Sequence, residues 1–455
     1  MTALDVESLL EVLSKHSNLD RKTSIAVAFS GGVDTVVLMH LLHCANQRFG
    51  FSLRALHINH NIFSNSGNWM EFCADFCHSR NIPFHSHRLE QFTCSDRVPE
   101  HKARSARYSW LNSQIAQEEF LLTGHHRNDQ AETLMLNLMR GAGARGLSAI
   151  QEATPFGKGT LVRPMLQFSK QQILDYAAEH ELDYVHDPSN DDLRYDRNYL
   201  RHLVLPTMQE HWGAAIENIS RSAENLSDSR VLLDELAEMD AASCRTTGSA
   251  YLSIGYQLKL TELRKLSRAR QINLIRYWIR SQSIAEPGRQ TLDNFLDTTI
   301  AGNAEYSEMD WNGFKLYLFR KVLYLTPNVT PKPRKDKLMW TLEEPLVLEH
   351  EGFRLIPTPA IGKGIDVNRL SLPVSVGFRK GGERFRMPGR SHFSKLKKLL
   401  QTHHIPPCER KLLPLIHDNE ELVAVVPWQV SDSYAVKPGQ NGIDIQIELT
   451  SQTDN

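Results

Sequence analysis

Ser24 to Phe29 is a short apolar run that ends in Ser30-Gly31-Gly32-Val33-Asp34-Thr35 and passes directly into an apolar helical pattern from Thr35 to Phe49. A strand that turns on two glycines into a helix must send the chain back across a sheet face before the next strand can begin, which is the layout of a parallel sheet. Three further apolar runs, Ser52 to Ile58, Pro83 to Arg88 and Phe120 to Gly124, alternate with helical patterns at Asn68 to Arg80, Glu100 to Glu118 and Asn128 to Arg140. Four such units predict an α/β fold, a doubly wound parallel-sheet domain over residues 1–210.

The remainder reads differently. Residues 211–326 begin with a polar helical pattern and continue through Leu263 to Ile284, where Arg268, Arg276 and Arg280 can share a helix face, so a mostly helical middle domain is expected. Prolines and charges in 327–337, PNVTPKPRKDK, mark a linker, and strand-like segments in 338–455 suggest a small α+β C-terminal domain. A length of 455 residues accommodates this division. Six cysteines (Cys44, Cys73, Cys77, Cys94, Cys244, Cys408) are too sparse for a disulfide framework, and Cys73 and Cys77 fall on an apolar helix face as core. The start has no signal-peptide pattern, and no apolar run approaches the roughly 20 residues that span a bilayer. A soluble protein of the reducing cytoplasm is the expectation.

Lys and Arg number 52 against 53 Asp and Glu, which excludes a uniformly basic coat but not a local one. Between Arg379 and Lys411 ten basic residues face two acidic ones, whereas from Ile416 to Asn455 one basic residue faces seven acidic ones. The basic block contains Arg379, Lys380, Arg384, Lys395, Lys397 and Lys398, with Phe385, Phe393 and His404 interleaved. It fits an RNA-backbone surface, with a solvated basic face as the alternative.

The SGGVDT turn carries the strongest chemical signal. Its glycines let the backbone approach an anion, and the N–H groups of the turn and helix start, with the hydroxyls of Ser30 and Thr35, suit phosphate oxygens. Asp34 would repel phosphate unless a hard cation such as Mg²⁺ lies between them. Gly157-Lys158-Gly159-Thr160 lacks the spacing of a Walker loop. A second polar cluster, Thr123-Gly124-His125-His126-Arg127-Asn128-Asp129-Gln130-Ala131-Glu132-Thr133, starts where the fourth strand ends. Read as one helix, it puts His125, Asp129 and Glu132 on one face and Ala131, Leu134, Met135 and Leu138 on the other. The strand end directs that face into the ligand crevice; a solvated helix face and a zinc half-site are the alternatives.

The SGGVDT turn resembles the pyrophosphate loop of the N-type ATP pyrophosphatase superfamily, and the ordered set of motifs resembles bacterial tRNA(Ile)-lysidine synthetases. That set comprises Ser30 to Thr35, His57-Ile58-Asn59-His60, Glu100 to Tyr108, His125 to Thr133 and Arg140 to Leu147. Arg163-Pro164, Asp187 to Asn190, Tyr195 to Arg201, Arg379 to Arg384 and Ile405 to Pro407 continue it to the C-terminal region. Two departures are Thr35 in place of the commoner serine, which keeps the hydroxyl, and Ile62-Phe63 where the family often has Leu-Arg.

The resemblance implies a ligase that uses ATP and Mg²⁺ to join L-lysine to C2 of the wobble cytidine in an isoleucine tRNA with a CAU anticodon. Under it, Ser30, Gly31, Gly32, Val33, Asp34 and Thr35 bind ATP, Asp34 holds Mg²⁺, and Asp34, Asp129, Arg104 and His126 are catalytic. His125, Asp129 and Glu132 bind lysine. Arg107, Arg197 and Arg201 join the basic C-terminal residues on the tRNA, with a structural ion-pair role for Arg197 and Arg201 a near alternative. A tRNA thiolase, a small-molecule adenylating synthetase and a non-catalytic RNA-binding module are the rival readings.

Overall fold

The computed structural model describes residues 3–16, 19–59, 66–88, 100–246, 251–302, 305–328 and 338–449. His60, Ile62, Phe63, Cys94 and all of the expected linker beyond Asn328 lie outside them. The chain divides into two compact units, Met1–Leu232 and Leu233–Asn455.

The first unit is built on a sheet of β1 (Ser24–Ala28), β2 (Ser52–Asn59), β3 (Phe84–Arg88), β4 (Phe120–Leu122), β5 (Ala153–Phe156) and β6 (Gly159–Val162), in the order β3-β2-β1-β4-β6-β5. All neighbouring strands are parallel except β5 against β6. Its helices are α1 (Val6–Ser14), α2 (Val33–Phe49), α3 (Ser66–His78), α4 (Glu100–Gln114), α5 (Arg127–Met139), α6 (Ala144–Leu147), α7 (Lys170–Glu179), α8 (Asp196–Tyr199) and α9 (Leu205–His211). Alternation along β1 shows why helices cover both faces: Ile25 and Val27 pack with residues of α1, α2 and α7, while Ala26 packs with Leu111 and Ile115 beside α4. The four predicted strands are present. The β5–β6 hairpin extends the sheet beyond them, through segments too short and glycine-rich to read as strands.

The strand order reverses between β1 and β4, which pair directly from Ile25↔Phe120 to Val27↔Leu122. Chains leaving these two carboxyl ends diverge to opposite sides and leave a crevice between them. The two polar motifs therefore emerge side by side.

The second unit contains a further α/β arrangement. Helices Arg268–Arg280 and Arg289–Leu296 pack with Trp278 at the core, as the helical reading expects, but a five-stranded antiparallel sheet accompanies them. Arg268 pairs with Asp297 at 2.7 Å, and Arg276 and Arg280 both meet Glu286 at 3.4 and 2.7 Å. This arginine face is thus spent on internal ion pairs. Toward the C-terminus, a five-stranded and a three-stranded sheet enclose a core that includes Leu252, Trp340, Phe353 and Ile416.

Glu409 joins these parts of the second unit. It is fully buried, and it accepts N–H bonds from Tyr251 at 2.8 Å and Leu252 at 3.1 Å and a bond from the Tyr317 hydroxyl at 3.4 Å. Burial pushes its carboxyl up to about 7, against the opposing pull of those N–H groups. A proton held more tightly in the folded than the unfolded state stabilises most below the ordinary carboxylate pKa, and that stability is lost as pH rises towards about 7. The melting transition of this unit should therefore weaken as pH rises from 4.5 to about 7, by on the order of 3 kcal/mol from this group. Glu409→Gln, which fixes the neutral form, should flatten that dependence in pH-resolved calorimetry; an unchanged slope would refute the assignment.

Candidate active site

The SGGVDT turn leaves β1 under tight local constraint. Gly31 sits at φ +82°, and a Cβ there would lie 2.7 Å from Cys73 Sγ. Thr35 Oγ1 donates to the Gly32 carbonyl at 3.0 Å and lies 3.1 Å from Ser30 Oγ. The threonine hydroxyl thus braces the turn, and the first N–H bonds of α2 run from Thr35 and Val36 to the Gly32 carbonyl, so that the N–H groups of Val33 and Asp34 precede the helical ladder. Beneath the turn, His57 Nδ1 lies 2.9 Å from the Phe29 carbonyl, and burial pushes its imidazole towards the neutral form. From the other strand end, Gly124 packs on the backbone of Asp34, where a Cβ would come within 3.1 Å. Glycine at 124 is what lets the two motifs touch.

The second motif departs from a single helix beginning at His125. Helix α5 starts at Arg127 with His126 as its cap, and Asp129 Oδ2 accepts the His126 N–H at 3.0 Å. His125 therefore lies in the strand-to-helix turn, with Nδ1 2.8 Å from Thr123 Oγ1. Burial pushes it down to about 4, aided by Arg163, Arg197 and Arg104 and opposed by Asp129, so it is neutral. His126 is buried, its Nδ1 has no hydrogen-bond partner among the described residues, and its Nε2 lies 3.6 Å from Asp34 and 3.5 Å from Asp129.

Asp129 and Glu132 are less open than a crevice-facing helix surface implies. Glu132 has no exposed side-chain surface; its oxygens accept from Arg197 Nε at 2.7 Å and Arg201 Nε at 2.6 Å. Asp129 Oδ1 accepts from the same two arginines, at 2.8 and 3.1 Å. Burial alone would raise the Asp129 carboxyl, but His126, Arg197, His125 and Arg201 hold it well below the usual carboxylate range. Reciprocally, burial would weaken both arginines and the two carboxylates raise their pKa. Arg197 and Arg201 thus take the ion-pair role, with side chains still 26% and 33% exposed. One contact escapes sequence reading altogether: Lys170 Nζ, at the start of α7, lies 2.7 Å from Asp34 Oδ1.

On α4, Arg104 reaches the Tyr108 hydroxyl at 3.4 Å and stacks on its ring at 4.9 Å, and Arg107 lies 5.4 Å from the same ring. In the second unit, Lys380, Arg384, Lys395, Lys397 and Lys398 are exposed, whereas Arg379 faces Glu383 at 3.6 Å. Arg384 stands directly opposite Lys395 across a two-stranded ribbon. Phe385, expected on the RNA face, is core instead, with no exposed surface; only Phe393 of the pair is exposed. Among the described residues, no group of three or more His, Cys, Asp or Glu side chains forms a metal cage. Cys73 and Cys77 are buried, and burial pushes both thiols up to about 12, which removes them as nucleophiles.

An anion-cradling turn and a polar second strand end at the switch point of a parallel sheet define a PP-loop ATP pyrophosphatase. Residues 4–208 match the PP-loop domain, 258–324 the TilS substrate binding domain and 374–447 the TilS substrate C-terminal domain. The chain is 32% identical over 443 residues to the tRNA(Ile)-lysidine synthase of Coxiella burnetii, covering 97% of this chain and 96% of that protein. It is 34% identical over 425 residues to that of Nitrosomonas europaea, covering 92% and 90%. It belongs to the tRNA(Ile)-lysidine synthase family and is an ATP-using enzyme. Among solved structures, the U34-tRNA thiolase NcsA of Methanococcus maripaludis matches with 19% identity and a TM-score of 0.41, covering 48% of this chain and 77% of that one. No helix among the described residues is long and apolar enough to cross a membrane.

Removing one partner from a buried ion cluster strands the others without compensation. Glu132→Ala should lower the stability of the first unit by on the order of 3 kcal/mol in urea unfolding. Asp34→Ala, at a partly exposed carboxylate, should change it by less than about 1 kcal/mol.

Proposed function

We propose that this enzyme ligates L-lysine to C2 of the wobble cytidine of a CAU-anticodon isoleucine tRNA through an adenylated tRNA, releasing pyrophosphate and AMP. The observation that supports this reading best is the meeting of the SGGVDT turn with the His125–Glu132 motif at one switch point, in a chain matching its lysidine synthase relatives over nearly their full length. A cytidine O2 attacking the α-phosphorus of ATP builds charge on the leaving pyrophosphate, so positioned donors lower the barrier. The turn N–H groups would receive that pyrophosphate, with Arg104 on the α-phosphate side. Asp34, a hard oxygen ligand with a partly exposed carboxylate, suits Mg²⁺, which commonly binds through one or two carboxylates and substrate phosphates. When bound, the ion would supply charge neutralisation on the pyrophosphate.

In the second step the lysine ε-amine displaces AMP. Of the acidic pair, Asp129 retains 10% side-chain exposure and Glu132 none, so Asp129 is the carboxylate proposed to face the amine. Glu132 then serves to fix Arg197 and Arg201, whose outer edges are left for tRNA phosphates. Arg107 in the first unit and, separately, the exposed lysines and arginines of the second unit are proposed to meet further tRNA phosphates. The cross-strand Arg384 and Lys395, like charges face to face, suit an anion between them.

Purified protein with labelled lysine, ATP, Mg²⁺ and the transcript should transfer label to tRNA, and failure beside a working control would overturn the proposal. Asp34→Ala should abolish pyrophosphate release while tRNA binding stays within about threefold. Neutralising Lys395, Lys397 and Lys398 together should weaken tRNA binding and reduce the slope of log affinity against log salt by about 2 if all three meet phosphate.

A further inference from the structure

Lys170 belongs to none of the motifs that point to ATP, yet its ammonium touches the carboxylate proposed to hold the nucleotide's cation. The backbone beneath it is clamped. Ser169 and Gln172 form a reciprocal cap on α7, with Gln172 Oε1 accepting the Ser169 N–H at 2.9 Å. The Lys170 N–H donates to Asn128 Oδ1 at 3.0 Å, and the Arg127 N–H donates to the Phe168 carbonyl at 2.8 Å. Phe168 is buried in the core that α2 shares with α7. These bonds tie the start of α7 to the start of α5 and hence to the floor of the crevice. The side chain, by contrast, remains 36% exposed, and its Asp34 partner 28%.

A fixed backbone under a partly exposed ammonium on a long stem is an arrangement that lets a group change partners. An ammonium and a dication held on one carboxylate repel each other, so a cation taken by Asp34 would weaken its hold on Lys170. Lys170, if Asp34 held such a cation, would be free to reach phosphate oxygens in the adjoining turn. Lysine, a compact cation on a flexible four-carbon stem, is suited to such a transfer.

We propose that Lys170 is a nucleotide-positioning residue: it neutralises Asp34 while the site lacks nucleotide and moves onto the pyrophosphate oxygens of ATP when Asp34 takes the cation. This rests on the ATP reading of the turn and adds a group with two successive partners. The exchange keeps Asp34 from repelling the incoming triphosphate and makes nucleotide and cation binding mutually dependent.

The test is calorimetric titration of the full chain with inorganic pyrophosphate and with a non-hydrolysable ATP analogue, each with Mg²⁺ and with chelator. Wild type, Lys170→Met, Lys170→Arg, Asp34→Ala and the Asp34→Ala/Lys170→Met double variant are compared. Lys170→Met should weaken Mg²⁺-nucleotide binding by about tenfold or more, the scale of one charge-assisted bond, with Lys170→Arg recovering part of it. Asp34→Ala should bind pyrophosphate in chelator more tightly than wild type, because its lysine is released, and the double variant should lose that gain. A lysine that merely braces the fold would leave all affinities unchanged while lowering the melting temperature, and that result overturns the proposal. So does a chelator affinity of Asp34→Ala no higher than wild type. Failure of wild type itself to bind Mg²⁺-nucleotide would instead overturn the ATP reading of the turn.

Discussion

The carboxylate of Glu132 has no contact with solvent, and the architecture around the crevice depends on how that charge is compensated. Enclosing an ion carries a desolvation penalty of several kcal/mol unless geometry and additional hydrogen bonds offset it. Arg197 and Arg201 supply that geometry from 65 and 69 residues away, and their spacing of four places both guanidinium groups on one side of α8 and the helical turn that continues it. Asn198, between them, donates to the carbonyls of Ser189 and Asp192 at 2.9 and 3.0 Å and so holds the segment that presents the arginines. The ion cluster thereby fastens the last part of the first unit to α5. Asp129, His126 and the crevice edge inherit their positions from that attachment.

Sequence made the sheet legible because its information is local. Alternating apolar runs, two glycines at a strand end and a polar start to the next helix each reflect a constraint within a few residues. The β1–β4 switch point follows from those constraints once the strands are known. What escaped was carried by partners distant in sequence. Nothing adjacent to Lys170 announces that its ammonium reaches Asp34, 136 residues earlier, and the Arg197–Glu132 pair is equally non-local. The spacing of His125, Asp129 and Glu132 fits a helical face, but that period cannot say where the helix begins. The His126 cap, held by Asp129, sets the boundary two residues after His125.

The second unit illustrates a different limit. Arg268, Arg276 and Arg280 fit a helical period, and they lie on one helix, but periodicity does not distinguish a basic face waiting for phosphate from one neutralised by Glu286 and Asp297. The adjoining antiparallel strands were obscured because Tyr306–Trp311 and Phe314–Phe319 join through a turn at Asn312 and Gly313, both at positive φ, with no long apolar run to mark either strand. Farther along, the basic block keeps its charge exposed. Leu396, Leu399 and Leu400 bury one side of a helix, while Lys397 and Lys398 stay outside. Apolar and basic residues there interleave because one set builds the fold and the other faces solvent.

Each carboxylate of the crevice is met by a cation from the chain itself. Asp34, Asp129 and Glu132 are met by Lys170, Arg197 and Arg201, and His125 is kept neutral by burial. A pocket holding three unbalanced carboxylates would repel a triphosphate, and one holding three unbalanced cations would bind any anion without regard to geometry. Balance between side chains of unequal mobility avoids both. Arg197 and Arg201 are each bound to two carboxylates, whereas among the described residues Lys170 pairs with Asp34 alone, on a flexible stem. Positions of the charges that must not move are fixed by the fold before substrate arrives, which is the condition under which electrostatic preorganisation lowers a barrier rather than merely tightening binding.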